Sequence, residues 1–460
     1  MRLRQKLWKY NTSFLFITGL LLTLCLPLCA YEQKTIPIII VGYGGRAQWL
    51  LMRCLQERND IKVLAICDEK AQECLDHMKR ECNGPYASLK EIFNTTLTEV
   101  ELYPDSIEAI RLMLEKYRDV KEIWITSRND RHFDQLTTIL QYSSCPKIFM
   151  EKPLFRTLEE LSHFDWRLAN NREIVLGLTL RYSSMAFIVA KQLQHHKEKL
   201  GALRSVKTWE RLSFSHALHS FVLANRRYRS LWGGLLLEKS IHDIDLALFF
   251  ISATGFTPSR ILLNTTTENK FFTHANLPQI LEYCGNNPAL ENRVTQTLKD
   301  GFNNTDLIPD YHKFSATLFA EGYDPIKFEL ETDMSSYRSI MERGSLLTFE
   351  HGQILVDIMA SCMTISLNDE TTSTYDLKTL YGGHADGDMY VIHAILNDTQ
   401  PNEHLRVTLS DPIARLANLI ALVSEEQSLH QYESQELIYL DDFWILRDRT
   451  LPDLKIRFSP

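Results

Sequence analysis

Short apolar runs alternate with amphipathic stretches over the first third of the chain. The runs are rich in β-branched residues and lie at residues 36–41, 61–66, 120–126 and 147–150. Helix-like stretches separate them, one ending near residue 57 and others at residues 105–118 and 132–142. Continuous apolar runs predict strands buried on both faces, and strand–helix alternation is typical of a doubly wound parallel sheet. The pattern therefore predicts an α/β domain over residues 36–152.

The pattern changes after residue 152. A helix at 157–170 and an apolar strand at 174–180 are predicted first. Further strands are predicted at 202–213, 312–321, 326–332, 345–349, 353–357 and 361–367, and helices at 233–252 and 409–425. Strands that are mostly antiparallel, with helices on one face, indicate an α+β domain over residues 153–460. Within it, residues 254–310 are polar and weakly periodic, which predicts a long excursion over the surface.

The first thirty residues are typical of a targeting segment. Basic residues near the start precede an apolar run from Phe14 to Leu28, which is shorter than the roughly 20 residues of a spanning helix. Leu28-Cys29-Ala30 resembles a cleavage site, so we predict a secretory signal removed after about Ala30. The protein would then be secreted, periplasmic or in the secretory pathway. The alternatives are membrane attachment through an uncleaved residue 1–30 anchor and acylation of Cys29.

Composition narrows the class of protein. A chain of 460 residues is expected to form two or three domains, and its 45% hydrophobic content allows sizeable cores. The formal net charge of -8 argues against a nucleic-acid partner. Seven cysteines follow residue 30, an odd number without CxxC spacing, which fits neither a disulfide framework nor a zinc site. No metal site is predicted.

A glycine-rich turn directly follows the first strand. It reads Gly42-Tyr-Gly44-Gly45-Arg46-Ala47. Glycines allow a tight bend and a close approach of the backbone to a pyrophosphate, and the following helix N-terminus offers free N–H groups. Asp68 ends the second strand, where a carboxylate accepts hydrogen bonds from a ribose and repels a 2′-phosphate. The alternative is a plain glycine turn. The sequence thus predicts a dinucleotide-binding Rossmann domain that favours NAD over NADP.

A second glycine turn, at residues 233–234, opens a predicted helix. A period of about 3.6 residues places Glu238, His242 and Asp245 on one face. A carboxylate one turn before a histidine can fix its tautomer and raise its basicity, which suits proton abstraction. Lys152, held before a proline at a strand end, is a candidate third partner. The alternative is an amphipathic helix with a solvated polar face.

These motifs together resemble the Gfo/Idh/MocA family of sugar and cyclitol oxidoreductases. The segments that carry the resemblance are residues 42–47, 127–132, 151–153, 181–183, 233–245 and 382–388. Two positions depart from the family pattern. Ser127 and Arg128 replace a usual Thr-Pro, and Glu238 replaces a usual aspartate. Because glutamate is one methylene longer, the geometry at His242 is the main argument against ordinary dehydrogenase activity.

The resemblance implies roles for individual residues. Lys152 would bind a substrate hydroxyl, His242 would take the hydroxyl proton while hydride leaves for nicotinamide, and Glu238 would orient His242. The cofactor would be bound by Gly42, Gly44, Gly45, Arg46, Asp68, Asn129, His132 and Glu151. The substrate would be bound by Arg181, Tyr182 and Asp245, of which Asp245 is favoured as structural rather than catalytic. The resemblance also implies a small sugar-like substrate and a homo-oligomer.

Three functions are compatible with these residues. The favoured one is an NAD-dependent oxidoreductase acting on a sugar or cyclitol secondary hydroxyl. The second is a relative that uses bound NAD transiently to cleave a glycoside, and the third is a non-catalytic binding protein on the same scaffold. A basic cluster at Arg226, Arg227 and Arg229 could bind an acidic or phosphorylated sugar, although a solvated basic face is favoured.

Overall fold

The computed structural model describes most of the chain from residue 35 onwards. The described residues are 35–84, 86–224, 226–268, 272, 276–284, 287–301, 306–335, 340–377, 387–396, 406–430, 435–440, 443–447 and 454–457. The predicted signal segment and most of the 382–388 turn lie outside these ranges. Within them, the structure has no helix that is both long and apolar enough to cross a membrane. All seven cysteines after residue 30 are free thiols.

Six parallel strands form the first sheet, in the order β3-β2-β1-β4-β5-β6. Their bounds are β1 Ile36–Val41, β2 Ile61–Cys67, β3 Glu101–Tyr103, β4 Glu122–Ile125, β5 Lys147–Met150 and β6 Glu173–Leu176. The central strands are buried throughout their length, as their apolar sequences predict. This confirms the doubly wound sheet. The sheet extends past residue 152, because β6 pairs with β5 in parallel.

Helices cover both faces of this sheet. They are α1 Gly45–Glu57, α2 Ala71–Glu81, α3 Lys90–Thr96, α4 Ile107–Lys116, α5 Asn129–Tyr142 and α6 Leu158–His163, with 3-10 turns at Ala87–Leu89 and Trp166–Ala169. Side chains cap two of them. Ser106 accepts from the backbone N–H of Ala109 at 3.2 Å, and Thr157 accepts from that of Glu160 at 3.1 Å. Such caps satisfy N–H groups that have no partner within the helix.

An eleven-stranded sheet forms the second part, in the order β14-β13-β12-β11-β7-β10-β9-β8-β15-β16-β17. Its strands are β7 Leu203–Arg211, β8 Arg260–Glu268, β9 Tyr311–Phe319, β10 Ile326–Asp333, β11 Glu342–Phe349, β12 Gly352–Asp357, β13 Cys362–Leu367, β14 Thr372–Asp376, β15 Gln435–Leu440, β16 Phe443–Arg447 and β17 Leu454–Arg457. Among the described strands of this second sheet, only the β7–β10 pair is parallel, which confirms the largely antiparallel sheet.

The remaining helices follow β6 along the chain. They are α7 Thr179–Tyr182, α8 Ser184–His195, α9 Lys197–Leu200, α10 Phe214–His216, α11 Arg229–Trp232, α12 Ile241–Ala253, α13 Leu277–Glu282, α14 Pro288–Gly301, α15 Gly387–Leu396 and α16 Pro412–His430. Two π-helical segments, Ala217–Leu223 and Leu236–Ser240, precede α11 and α12. The predicted helix over 233–252 is therefore a π-helical turn followed by α12.

The polar stretch 254–310 is more ordered than its sequence predicts. It contributes the strand β8, which pairs with both β9 and β15. It also contributes α13 and α14, whose apolar residues pack with the segment Ala217–Leu223 in a second hydrophobic cluster. The prediction of an aperiodic surface excursion is wrong for these elements, because their apolar positions are separated by long polar runs.

The chain returns to the first domain near its end, through residues 387–396 and 406–411, which we call the return segment. The Nζ of Lys147 on β5 donates to the carbonyl of Ala394 at 2.6 Å. The backbone N–H of Leu176 on β6 donates to the carbonyl of Val407 at 3.0 Å. Lys147 is 3% exposed and also lies 3.8 Å from Glu122 on β4, so the return segment adds hydrogen-bond acceptors to buried groups of the first domain.

Candidate active site

A cavity of about 750 Å³ lies between the two domains, at the carboxyl ends of the parallel strands. Residues immediately after β1, β2, β4 and β5 line its first wall. The strand order reverses between β1 and β4, and such a switch point is where open α/β sheets bind ligands. Most predicted site residues line this cavity, namely Gly42, Gly44, Gly45, Arg46, Asp68, Asn129, Glu151, Lys152, Glu238 and His242.

The glycine turn has the backbone that its sequence predicts. Gly42 has φ +84°, and a Cβ there would lie 2.4 Å from the backbone N and Cα of Ser127. A Cβ on Gly44 or Gly45 would instead meet no atom within 4 Å. Gly44 is the N-cap of α1 and makes no side-chain cap bond. The turn thus opens the α1 N-terminus toward the cavity, which fits a pyrophosphate.

Asp68 is held at the end of β2 by two backbone amides. Its Oδ2 accepts from Tyr43 N–H at 2.8 Å and its Oδ1 accepts from Lys70 N–H at 2.7 Å. Each carboxylate oxygen can accept more than one hydrogen bond. Asp68 is therefore fixed in orientation and still able to accept from a ribose hydroxyl in the cavity.

Arg46 links the glycine turn to both domains. Its Nε donates to Glu151 Oε1 at 2.7 Å, and its Nη1 lies 2.9 Å from Asp388 Oδ1 of the return segment. These carboxylates outweigh burial and raise the Arg46 pKa above its ordinary value. Gly177 leaves room for Glu151, since a Cβ there would lie 2.9 Å from the carboxylate. Arg46 and Glu151 thus form a fixed charged pair in the cavity floor.

Lys152 and Glu238 join the two walls of the cavity. The Lys152 Nζ donates to the Glu238 carbonyl and to its Oε2, the latter at 3.0 Å. Glu238 Oε1 accepts from Arg226 Nη1 at 3.0 Å. Burial raises the pKa of Glu238, but the positive charges of Lys152, Arg226 and Lys239 outweigh it and lower the pKa to about 2. The carboxylate is ionised at neutral pH and holds the Lys152 ammonium in place.

His242 lies in the first turn of α12 and is 4% exposed. It lines the cavity with Lys152 and Glu238. Glu238 belongs to the preceding π-helical segment, where i→i+5 bonding widens the turn and breaks the 3.6-residue period. The hydrogen bonds described for its carboxylate run to Lys152 and Arg226, so its orienting effect on His242 stays a prediction.

Asn129 and His132 differ in where they lie. Asn129 lines the cavity and donates from Nδ2 to the carbonyl of Trp232 at 2.9 Å, which ties α5 to the second domain. His132 does not line the cavity. Its Nδ1 and Nε2 face the carbonyls of Pro153 and Ser127, each at 3.1 Å. The prediction that His132 faces the cofactor is therefore corrected, because both ring nitrogens face backbone carbonyls instead of the cavity.

The three residues predicted to bind substrate also lie outside the cavity lining. Asp245 is fully buried and accepts a bidentate pair of bonds from Arg181, at 2.8 and 2.6 Å. Arg181 also lies 3.0 Å from Asp411. The hydroxyl of Tyr182 donates to the carbonyl of Val407 at 2.9 Å. Asp245 lies one turn beyond His242 on α12 and faces the interior of the domain. Its pair with Arg181 therefore connects buried helices and does not contact the cavity.

Several cavity residues were not predicted. They include Glu210 on β7, Arg343 on β11, Asp388 on α15, His216 on α10, and Ser220 and Lys239 on the two π-helical segments. The sequence could have indicated Lys239 as a site residue, because a lysine directly after Glu238 interrupts an otherwise apolar helix start. Of the basic cluster, Arg226 lines the cavity, whereas Arg227 donates to the Thr297 carbonyl and Arg229 pairs with Glu425 at 2.7 Å.

Comparison with known proteins agrees with this geometry. Residues 36–177 match the family described as an oxidoreductase family with an NAD-binding Rossmann fold. No curated protein matches the sequence.

Several solved structures share the fold over nearly their whole length. An oxidoreductase domain protein from Kribbella flavida is 15% identical, with TM-score 0.58, covering 88% of this chain and 99% of its own. A levoglucosan dehydrogenase in complex with NADH and L-sorbose is 13% identical, with TM-score 0.58, covering 87% and 98%. An Agrobacterium radiobacter oxidoreductase in complex with NAD+, L-tartaric acid and magnesium is 12% identical, with TM-score 0.56, covering 87% and 97%.

Proposed function

We propose that this chain, whose residues 36–177 match an oxidoreductase family with an NAD-binding Rossmann fold, is a dehydrogenase acting on a secondary hydroxyl of a sugar or cyclitol. The observation that supports this function is that one cavity contains both the glycine turn and the Lys152–Glu238–His242 group. Two similar structures were solved with the sugar L-sorbose and with L-tartaric acid, which supports a small hydroxylated substrate.

We propose NAD rather than NADP as the cofactor. Gly42, Gly44 and Gly45 would hold the pyrophosphate, and Asp68 would accept from the ribose. Because the Asp68 carboxylate is held by Tyr43 N–H and Lys70 N–H, it cannot turn away from a 2′-phosphate without losing these bonds. Repulsion between the two anions favours the cofactor that lacks this phosphate.

The chain's own residues move the proton in this proposal. NAD, when bound, supplies the hydride acceptor. Lys152 is held by Glu238 as an ammonium and donates a hydrogen bond to the substrate oxygen. His242 takes the hydroxyl proton as general base. A positioned acid or base contributes about 10²- to 10⁴-fold in rate, so each of the two residues has a measurable part in turnover.

The test separates binding from turnover. Fluorescence titration of the full chain with NADH, with NADPH in parallel, is expected to give tighter NADH binding. Oxidation of a panel of sugars and cyclitols with NAD is then followed at 340 nm. Lys152→Ala and His242→Ala are each expected to lower kcat by about 100-fold or more, with NADH affinity within a few-fold of wild type.

Two results would contradict the proposal. Absence of NADH binding would indicate a scaffold without its cofactor. Turnover within a few-fold of wild type in both variants would show that Lys152 and His242 are ordinary cavity residues. Lys191→Ala is the matched control, because Lys191 is an exposed lysine on α8.

A further inference from the structure

Lys239 is a buried lysine in the second-domain wall of the cavity. It belongs to the π-helical segment Leu236–Ser240, is 8% exposed, and lines the cavity. Its ammonium lies 3.5 Å from Ser220 Oγ and 3.5 Å from His216 Nε2. The Ser220 hydroxyl donates to the His216 carbonyl at 2.7 Å, so its oxygen accepts from Lys239 and positions the ammonium.

Lys239 differs from the other cations around the cavity in what it pairs with. Lys152 lies 3.0 Å from Glu238, and Arg343 makes a bidentate pair with Asp243 at 2.7 and 2.8 Å. Within the described ranges, no carboxylate lies within 4 Å of the Lys239 ammonium, and Glu238 and Glu210 attract it only from further away. A buried ammonium with no carboxylate in contact is costly, which points to an anion that binds from outside the chain.

The local charge balance sets the size of that anion's charge. On the second-domain wall Arg226 pairs with Glu238, and Arg343 pairs with Glu210 and Asp243, whereas Lys239 has no carboxylate within 4 Å among the described residues. A single negative charge would pair with the Lys239 ammonium. A dianionic phosphate would carry one charge more and would lie near Glu238 and Glu210, so a carboxylate fits better.

We propose that Lys239 binds a carboxylate on the substrate, so that the enzyme acts on a sugar acid or a related hydroxy acid. This inference rests on the proposed function, because it places the hydroxyl near Lys152 and His242 and the carboxylate at Lys239. Ser220 acts as a positioning residue for the ammonium. Burial, together with the charges of Arg226 and Lys152, outweighs the attraction of Glu238 and Glu210 and lowers the pKa of Lys239 to about 8. Carboxylate binding is accordingly expected to weaken above pH 8, as the free ammonium deprotonates.

Binding to the enzyme–NADH complex tests the inference without relying on turnover. D-gluconate, D-glucuronate and L-tartrate are titrated against the neutral partners D-glucitol and D-glucose, with D-glucose 6-phosphate as the phosphate arm. Wild type is expected to bind at least one carboxylate more tightly than its neutral partner. In Lys239→Met the carboxylate affinity is expected to fall by about 10- to 100-fold, the range for a hydrogen bond to a charged group. The affinity for neutral partners stays within a few-fold.

Two further variants separate charge from structure. Lys239→Arg keeps a cation and is expected to keep the preference for carboxylates, whereas Lys191→Met removes an exposed lysine and leaves every affinity unchanged. Equal binding of carboxylates and neutral partners by wild type, tighter binding of the phosphate, or an unchanged preference in Lys239→Met would each overturn the inference. Failure of NADH itself to bind would instead refute the proposed cofactor, because Lys239 lies on the opposite wall from the glycine turn.

Discussion

Glu238→Gln removes the negative charge that holds the two cavity walls together. The side chain keeps its length, so packing within the π-helical segment is preserved. The amide oxygen can still accept from Lys152, but the NH2 group then faces Arg226, another donor. The substitution thus isolates the charge of a carboxylate that is 3% exposed.

The pKa of Glu238 gives the size of the effect. A pKa lowered from 4.5 to about 2 corresponds to about 3 kcal/mol in favour of the ionised form in the folded protein. Breaking a buried ion pair costs about 3–5 kcal/mol. Because the Arg226 side chain is 39% exposed, water compensates part of its loss. We therefore expect Glu238→Gln to lower the free energy of unfolding by about 2–3 kcal/mol at pH 7.

Urea unfolding at two pH values measures this loss. A carboxyl group whose pKa is lower in the folded state contributes its stability above the unfolded pKa of 4.5, and loses it as pH falls toward 2. The difference in free energy of unfolding between wild type and Glu238→Gln is therefore expected to narrow by about 1.4 kcal/mol, roughly half of the deficit, between pH 7 and pH 3.5. NADH affinity is expected to stay within a few-fold, since Glu238 belongs to the second domain.

Glu198→Gln provides the control, because Glu198 is an exposed residue on α9. It is expected to change the free energy of unfolding by less than about 0.5 kcal/mol. The reasoning fails if Glu238→Gln is as stable as wild type at pH 7, or if its deficit grows as the pH falls. Either result would mean that Glu238 is not held ionised by Lys152 and Arg226.

The remaining predictions concern the cofactor wall and the buried ion pair. Gly42→Ala is expected to lower stability by about 2 kcal/mol or more in thermal unfolding, because its φ is +84° and its Cβ would meet Ser127 backbone; unchanged stability with unchanged NADH affinity would contradict this. Asp68→Ala is expected to weaken NADH binding about tenfold and to close the gap to NADPH, as measured by parallel titrations. Asp245→Asn is expected to cost about 3 kcal/mol in urea unfolding by leaving Arg181 buried without a full partner, while NADH affinity is retained; a selective loss of substrate binding would restore its predicted role.

The first sheet could be predicted because its strands carry the signal themselves. Residues 38–41 and 148–150 are apolar and buried, so these two strands can be identified without knowledge of their neighbours. β3 was missed because Glu101–Tyr103 has only three residues. β8 is not predicted because the second half of Arg260–Glu268 is polar, with exposed and half-buried residues alternating. Its place in the sheet depends on pairing with strands that are distant in sequence.

Site residues could be predicted where a motif directly follows the end of a strand. They could not be predicted where tertiary contacts determine which side chains pair with each other. Lys152 and Glu238 are brought together, but the sequence paired Glu238 with His242 by helical period, and a π-helical turn interrupts that period. Arg181 and Asp245 are polar residues within an apolar sequence. This pattern indicates either a functional role or a buried ion pair, and it does not distinguish between them. Only their mutual 2.6 Å contact decides between the two.

The return segment also sets the order in which this protein can be completed during synthesis. The Lys147 ammonium bonds to a carbonyl 247 residues further along the chain. At roughly 5–20 residues per second, translation needs roughly 10–50 s to deliver that carbonyl. Throughout this interval β5 and β6 are without the carbonyls of Ala394 and Val407, which accept from the Lys147 ammonium and the Leu176 N–H. The cofactor half, although first in sequence, is therefore expected to finish folding only after most of the second half has been made.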